Sequence, residues 1–514
     1  MKEWIVRQVL NNEAAKSLLA TEIDLHSKHV IDVLRTLNPV ATFRRWHNIY
    51  RSIEEFINIV IVDPHTNDGI TKWLQETRVD QKMMSGMSMQ LLEIKMHLEV
   101  TYDAAVVGRF ISLLRMAANY RFSSEYYSDQ VDHQGFDLSN VLGLAHYFQA
   151  RRRHYLILLY AIGAECRGDR SLEAYDLFYE LVALVDTNII SITGLKQKLL
   201  IANIIDSYSL IIDGNRCCGS VDYSDLEGFF LEAETVGIMD VHEHLRQDDT
   251  RLNSDDDKED LPEGEMFSVE EMRNELRQIE VAFSKFDLSN TFYGKMREFI
   301  FNLSALFENR YSLAVGHDAF SRMIEIEFGL YSDVIKKELI CKDKDYADCG
   351  SIFSPFIFND GMVFSNVRLI TRFMYFYRGQ CLRRNKKYQI NSGFVFERMV
   401  SKSLEAQGFY ITDVKRIDKK EFDVVALREG KIYNFQCKNN YIDMRLASGE
   451  ANIFIRYNKR LIKYYERSLK KELAREELLK GRLGLSEVRH YVISRFPVVT
   501  DNDYILPFNR IESL

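Results

Sequence analysis

Proline and glycine are scarce in this chain, and that scarcity limits the folds open to it. Only 6 prolines and 25 glycines occur among 514 residues. Proline breaks helices and central strands, and glycine supplies the special backbone angles of tight turns. We therefore expect long helices in place of a loop-rich or all-β fold. The length also exceeds that of one ordinary domain, so a multidomain chain is expected.

Apolar residues recur with helical spacing through the first three quarters of the chain. Segments 31–37 and 171–181 carry them at i, i+3, i+4 and i+7. This pattern predicts a helical domain over 1–245 and a second helical region over 266–390. Between the two, 246–265 is strongly acidic and nearly without apolar residues, which is typical of a solvated linker or loop.

The second helical region carries its own local signals. Ser268 and Glu271 form a capping box that predicts a helix start. Residues 356–364 indicate a short hairpin around Asn-Asp-Gly, and a helix is expected from about Asn366 to Arg384.

Charge is distributed unevenly along the chain. Residues 391–514 hold 23 Lys and Arg against 17 Asp and Glu, a net charge of +6, and the remainder carries −14 of the total of −8. A basic C-terminal domain on an acidic chain indicates that this domain alone meets a polyanion.

Composition also bears on the compartment. Seven scattered cysteines without a Cys-x-x-Cys pair favour reduced thiols and a cytoplasmic protein. The first residues show no signal-peptide pattern, and apolar runs such as 155–162 are shorter than the roughly 20 residues of a membrane span. We expect no membrane association.

Residues that can carry chemistry cluster in a helix and a hairpin within 391–514. Ser392 is placed to cap a helix that ends near Gly408. Glu397 shares an apolar face of that helix and points toward the expected sheet. Two apolar segments follow, 422–427 and 431–438, and are predicted to form two strands of a hairpin. Asp423 lies on the first strand, and Gln436 and Lys438 lie on the second.

The loop at 428–431 decides whether these side chains can meet. A loop of two or four residues places Asp423 directly opposite Gln436, with Lys438 two residues along on the same face. A three-residue loop with a glycine bulge places Asp423 and Gln436 on opposite faces.

The first register predicts a site for a divalent metal ion. Asp423 would be the main anionic ligand, with the Gln436 amide oxygen and the Cys437 backbone carbonyl beside it. Oxygen ligands suit Mg²⁺, with Mn²⁺ as a substitute. Lys438 would orient a water, and Glu397 would hold the hydrated ion. Such an ion would lower the pKa of the water and offset charge on a phosphate.

At these residues the chain resembles the PD-(D/E)xK, or restriction-endonuclease-like, nuclease superfamily, in its Mrr-like variant with Gln-x-Lys. The resemblance covers 391–514 only. It implies an α/β domain with a central mixed sheet and Mg²⁺-dependent phosphodiester hydrolysis, usually of DNA. It assigns catalytic positions to Glu397, Asp423, Gln436 and Lys438. Phe422 replaces the proline of the motif, and Gln436 lacks the charge of the usual acidic residue.

Other polar clusters have less specific explanations. A helix from 457 to about 481 would align basic residues that could track phosphates or form a solvated face: Lys459, Lys463, Arg467 and Lys470. The segment 242–244 (His-Glu-His) could supply two metal ligands but has no evident third, and 151–154 (Arg-Arg-Arg-His) could contact nucleic acid. Positions on the helix surface are expected for both segments.

We hold two functions open at this point. The first is an endonuclease acting on DNA, with RNA not excluded, in restriction or anti-phage defence. Its helical region would sense a target, regulate the nuclease, or bind a second copy or a partner protein. The second is a helical scaffold or sensor whose nuclease-like domain is inactive and only binds nucleic acid.

Overall fold

A computed structural model gives the architecture. It describes residues 7–62, 68–127, 135–214, 216–221, 234–247, 259–342, 344, 346–440, 442 and 450–514. Helices dominate, and mixed sheets lie in the C-terminal half. The expected order, a mainly helical part followed by an α/β part, is confirmed.

The helices of the N-terminal part are α1 (Asn12–Thr36), α2 (Pro39–Ile57), α3 (Asp68–Glu76), α4 (Lys82–Ser85), α5 (Met89–Leu98), α6 (Ala104–Tyr127), α7 (Val141–Glu165), α8 (Ala174–Leu184), α9 (Ile190–Ile204) and α10 (Glu234–Gln247). They continue with α11 (Val269–Ala282), α12 (Phe292–Leu303), α13 (His317–Phe328), α14 (Ser332–Leu339) and α15 (Val367–Leu382). Asparagine begins several of them, because its side chain accepts a hydrogen bond from the first turn, as at Asn11, Asn38, Asn140 and Asn366.

One hydrophobic core runs through the whole helical part. It extends without a break from Ile23 in α1 to Leu382 in α15. The regions 1–245 and 266–390 therefore share a core. Within this core Arg151, Arg153 and His244 are at most 4% exposed, so their expected surface positions were wrong.

Two sheets complete the helical part, and the first lies in a region expected to be all helix. Strands β1 (Gln8–Leu10), β2 (Leu210–Asp213) and β3 (Arg216–Gly219) form an antiparallel sheet. The second sheet has the order β4-β7-β6-β5, with β4 (Ser312–Gly316), β5 (Ile340–Cys341), β6 (Phe356–Asn359) and β7 (Met362–Asn366). The expected hairpin is β6–β7, which turns at Asp360 and Gly361, both with positive φ.

The predicted acidic linker is only partly described. Residues 248–258 lie outside the described residues, and α10 extends to Gln247. In the described part, Glu259 accepts hydrogen bonds from Arg273 at 3.3 Å and Arg277 at 2.8 Å. This end of the segment is attached to α11.

One helical stretch has the length and composition of a membrane span. Within the part of the chain that the structure describes, residues 174–204 form a continuous run whose most apolar 18-residue window has a mean hydropathy of 1.3, and 50% of that window is buried inside the protein. The core helix of a soluble protein has the same properties.

The C-terminal part is built around a five-stranded mixed sheet of order β14-β13-β12-β11-β8. Its strands are β8 (Tyr410–Ile411), β11 (Val424–Arg428), β12 (Lys431–Lys438), β13 (Val488–Ser494) and β14 (Ile505–Pro507). Strands β12, β13 and β14 are parallel, whereas β11 is antiparallel to both of its neighbours. A small separate hairpin pairs β9 (Arg416–Ile417) with β10 (Lys420–Glu421).

Helices cover both faces of this sheet. On one face lies α16 (Lys386–Ala406), whose Phe396 and Val400 pack on Phe435. On the other lie α17 (Ala451–Leu473) and α18 (Glu476–Leu483), which together replace the single helix expected up to about residue 481. Helix α9 of the helical part packs on α17 through Leu200, so the two parts are joined by a shared apolar cluster.

Helix α16 begins earlier than predicted. Asn385 is its N-cap, because its side chain accepts from the backbone N–H of Tyr388 at 3.1 Å. Ser392 is therefore inside the helix and is not the cap. The helix also crosses the predicted boundary at 390/391, so no break in structure separates the two regions there.

Candidate functional site

The β11–β12 hairpin has the register that the site requires. Arg428 pairs with Lys431 and Val424 with Phe435, so Asp423 faces Gln436. Glu429 and Gly430 form a two-residue turn with φ values of 52° and 70°. Positive φ at both positions is typical of a type I′ turn, which fits the twist of the flanking strands. The predicted register is confirmed.

Asp423 accepts two hydrogen bonds from β12. The backbone N–H of Cys437 donates to its Oδ2 over 2.8 Å, and the amide nitrogen of Gln436 donates to the same oxygen. Burial raises the pKa of this carboxyl, while the Cys437 N–H and the charge of Lys438 oppose the rise. The amide nitrogen of Gln436 faces Asp423, since a carboxylate accepts and does not donate. The prediction had assigned the amide oxygen of Gln436 to a metal ion.

Lys438 and the Cys437 carbonyl lie around the same strand end. The Lys438 Nζ lies 5.3 Å from the ring centre of Tyr464, on the α17 face of the sheet. The Lys438 carbonyl accepts from Arg495 N–H at 2.9 Å, so it points toward β13. Because backbone groups alternate in direction along a strand, the Cys437 carbonyl points the other way, toward Asp423.

Glu397 approaches from the opposite layer. It lies on α16, with its side chain 23% exposed. Burial raises the pKa of Glu397 to about 7, and the nearby charge of Asp423 adds to this effect. The charge of Asp423 therefore acts on Glu397, although the two side chains belong to different faces of the sheet.

Lys415 connects the two carboxylate residues, and sequence reasoning missed it. Its Nζ lies 3.8 Å from Glu397 Oε2 and donates to the Asp423 backbone carbonyl at 2.6 Å. The β9–β10 hairpin places it there, because Phe422 N–H donates to the Lys415 carbonyl just beyond that hairpin. The turn of the hairpin, Asp418-Lys419, has positive φ at both residues without glycine, so no strong turn signal is present in the sequence.

A buried polar network supports the Asp423 segment from the α17 side. Asn434, two residues before Gln436 on β12, donates to Glu472 at 3.1 Å and contacts His490 at 3.1 Å. Arg475 then donates to Glu472 at 2.9 Å and to the Glu421 carbonyl at 3.3 Å. This network ties α17 to the residues directly before Asp423.

The basic residues expected on the long helix are exposed on α17. Burial is low at all four: Lys459, Lys463, Arg467 and Lys470. Arg467 lies one helical turn from Tyr464, which is 46% exposed and contacts Lys438. The exposed face of α17 therefore continues the surface on which Lys438 lies.

A buried carboxylate links the helical part to this sheet. Asp240 on α10 accepts from Arg378 at 2.6 Å, from Tyr388 at 2.8 Å and from Arg495 at 2.8 Å. Burial alone would raise the pKa of Asp240, but Arg495 and Arg378 hold it well below its usual range. We call Asp240, Arg378 and Arg495 the arginine clamp.

The arginine clamp reaches the end of β12. Arg495 also donates to Ser392 Oγ at 2.7 Å and to Asn439 Oδ1 at 3.3 Å. Asn439 directly follows Lys438 and donates to Ser392 at 2.9 Å. Ser392, predicted as a cap, thus serves as a hydrogen-bonding partner between α16 and β12.

The predicted metal ligands include only two carboxylates. Among the residues that the structure describes, no group of three or more His, Cys, Asp or Glu side chains is arranged to hold a metal ion. Asp423 and Glu397 would have to be completed by the Gln436 amide, the Cys437 carbonyl and water, which are all oxygen donors that suit Mg²⁺.

Comparison with known proteins gives no match: no protein-family model, no curated protein and no solved structure matches the chain.

The raised pKa of Glu397 predicts a pH dependence of stability. A carboxyl whose folded pKa, about 7, exceeds its ordinary value of 4.5 holds its proton more tightly in the folded state. Stability should therefore fall as pH rises between these values, by about 2 kcal/mol from this group. Urea unfolding at pH 5 and pH 8 measures this, and Glu397→Gln should remove that part of the loss.

Glu405→Gln provides the control for this measurement, since Glu405 is exposed on the same helix. Glu405→Gln should keep the wild-type difference in the free energy of unfolding between pH 5 and pH 8. An unchanged difference in Glu397→Gln would contradict the environment described for Glu397.

Removing the negative charge of Asp240 from the arginine clamp should destabilise the protein. Asp240→Asn leaves Arg378 and Arg495 buried without their anion, which should lower the free energy of unfolding by about 3 kcal/mol. The matched control is Glu173→Gln, because Glu173 is 81% exposed and pairs with Arg45. Its loss should stay below about 1 kcal/mol, and equal losses in the two variants would contradict the clamp.

Proposed function

We propose that the chain is a Mg²⁺-dependent endonuclease that hydrolyses phosphodiester bonds of DNA. The observation that carries this proposal is the register of the β11–β12 hairpin, which sets Asp423 opposite Gln436 with Lys438 on the same face. Two strands that paired only to bury apolar side chains would not require three polar residues at one end of the hairpin.

The metal would bind at the Asp423 carboxylate, beside Glu397. Both hydrogen bonds to Asp423 use Oδ2, so Oδ1 is the oxygen that would face the ion. The raised pKa values of Asp423 and Glu397 mean that a cation there would be stabilising, because it favours the charged form of both. The ion would supply a water of lowered pKa and would neutralise charge on the phosphate.

The lysines would act beside the metal. Lys438, on the sheet face next to Tyr464, would orient the attacking water or counter the charge of the scissile phosphate. Lys415 lies between Glu397 and Asp423 and would have to move its ammonium group away from Glu397 when a metal arrives.

The substrate surface would extend along α17. Its exposed basic face adjoins Lys438, and phosphate contacts of this kind give salt-dependent binding without sequence preference. Exposed Tyr464 could stack on a base or a sugar. The restriction-endonuclease-like fold and a role in restriction or anti-phage defence belong to the same proposal, supported by the mixed sheet with helices on both faces.

A second candidate function rests on Gln436 and Lys415. Gln436 carries no charge and donates to Asp423, while Lys415 already neutralises part of the site. A domain of this kind that binds nucleic acid through α17 without cleaving it would be a scaffold or sensor module.

Plasmid cleavage in Mg²⁺ separates the two functions. Asp423→Ala and Lys438→Ala should each reduce the cleavage rate at least about 100-fold, because each removes a charge that acts on the transition state. Asp413→Ala and Lys420→Ala remove exposed charges outside the site and should keep the wild-type rate within about two-fold. A matched RNA substrate tests the choice of sugar.

Two results would contradict the endonuclease. Cleavage that survives equally in all four variants would come from a contaminant or another site. Absence of cleavage with Mg²⁺ and Mn²⁺, together with DNA binding that is lost in Lys463→Ala combined with Arg467→Ala, would support the binding module.

A further inference from the structure

The solvent-facing side of α16 carries two exposed apolar side chains between two exposed cations. Ile390 is 54% exposed and Phe394 is 57% exposed, and Lys387 and Arg398 are exposed as well. The four residues are spaced at i, i+3, i+7 and i+11, so they follow one side of the helix. We call this set the α16 stripe: Lys387, Ile390, Phe394 and Arg398.

The α16 stripe borders the candidate site. Phe394 and Glu397 are three residues apart and are therefore neighbours on the helix surface. Burial raises the pKa of Glu397, and the positive charges of Lys415 and Arg398 oppose that rise. The stripe therefore continues the surface on which Glu397 lies.

The cations of the α16 stripe have no structural partner. Among the residues that the structure describes, no ion pair or hydrogen bond engages the side chain of Lys387 or Arg398. Lys386 and Lys387 are also the first two residues of α16, where the helix dipole disfavours positive charge. The carboxylate further along this side is Glu405, about two turns beyond Arg398. A polyanion bound along the stripe would compensate these charges.

A second copy of the chain does not fit the α16 stripe. If two α16 helices paired antiparallel, Lys387 would meet Arg398 from the second copy, and in a parallel pairing each cation would meet itself. Both arrangements place like charges side by side, which is unfavourable. The stripe instead matches a polyanion that offers flat apolar surfaces. Nucleic acid is such a polyanion, because every base has a face on which an aromatic ring can stack.

A second exposed ring lies on the other face of the same sheet. Tyr464 on α17 is 46% exposed and contacts Lys438. Helices α16 and α17 cover opposite faces of the sheet, so the two rings flank the strand end that carries the candidate site. In a DNA duplex each base is covered by its neighbours in the stack. Rings of this kind therefore reach the face of a base only where the strand is unpaired.

We propose that the α16 stripe binds an unpaired stretch of DNA beside Asp423, so that the substrate of the site is DNA with a single-stranded segment. Phe394 would stack on a base, and Ile390 would extend this apolar contact. Lys387 and Arg398 would contact the flanking phosphates. This inference rests on the proposed function, because DNA is the substrate proposed there.

Fluorescence anisotropy of the full chain tests the inference, with a labelled oligothymidine strand and a duplex of the same length. EDTA is present, so that binding is measured without cleavage. The single strand should bind at least about ten-fold more tightly than the duplex, because its bases are free to stack. Phe394→Ala should weaken single-strand binding about ten-fold, as expected for the loss of one stacked base. Arg398→Gln should lower the slope of log Kd against log salt by about 0.7, since one phosphate contact is lost.

Tyr410→Ala and Arg322→Gln are the matched controls. Tyr410 is 69% exposed on β8 and pairs with Leu427, at the far end of β11 from Asp423. Arg322 is exposed on α13 in the helical part. Both variants should keep the wild-type affinity within about two-fold. Equal losses in Tyr410→Ala and Phe394→Ala would overturn the inference.

Plasmid cleavage in Mg²⁺, measured on the same preparations, separates this inference from the proposed function. Cleavage that depends on Asp423, with equal binding of single strand and duplex in wild type and in Phe394→Ala, would overturn the inference and leave the endonuclease in place. Single-strand binding that depends on Phe394, in a chain that does not cleave, would overturn the endonuclease and support the stripe as a DNA-binding surface. A chain that binds neither DNA would overturn both.

Discussion

The two-residue turn at Glu429 and Gly430 sets the geometry on which the C-terminal site depends. Because side chains alternate between faces along a strand, one extra loop residue would move Gln436 and Lys438 away from Asp423. In the observed register, Gln436 and the Cys437 backbone both bond to the Asp423 carboxylate. Helix α16 then brings Glu397 to the same strand end, and Lys415 lies between the two carboxylate residues.

The helical part and the sheet are physically connected at this end of β12. Asp240 on α10 holds Arg495, and Arg495 holds Asn439, the residue after Lys438. Helices α10 and α15 supply Asp240 and Arg378 of the arginine clamp. A shift of these helices would therefore act on groups in direct hydrogen-bond contact with the residues beside the candidate site.

The hairpin could be predicted from the sequence because its strands and turn depend on residues that are close together in the chain. Alternation of apolar residues predicted both strands, and the observed two-residue turn decided between the two registers that the sequence left open. The start of α15 was predicted at about Asn366, which is its N-cap. Contacts between distant segments of the chain decide the positions that the sequence did not predict. Lys415 reaches the site only through the β9–β10 hairpin, and Ser392 lost its expected capping role because α16 begins at Asn385. Arg153 and His244 were expected at the surface, since nothing local shows that other helices cover them.

A crystal structure of the full chain soaked with Mn²⁺, with the ion located by its anomalous scattering, tests the central claim most directly. The ion should lie within bonding distance of Asp423 Oδ1, with the Gln436 amide turned so that its oxygen faces the metal and Lys415 withdrawn from Glu397. An ion bound elsewhere, with Gln436 and Lys415 still on Asp423, would contradict a metal-dependent nuclease site at this hairpin.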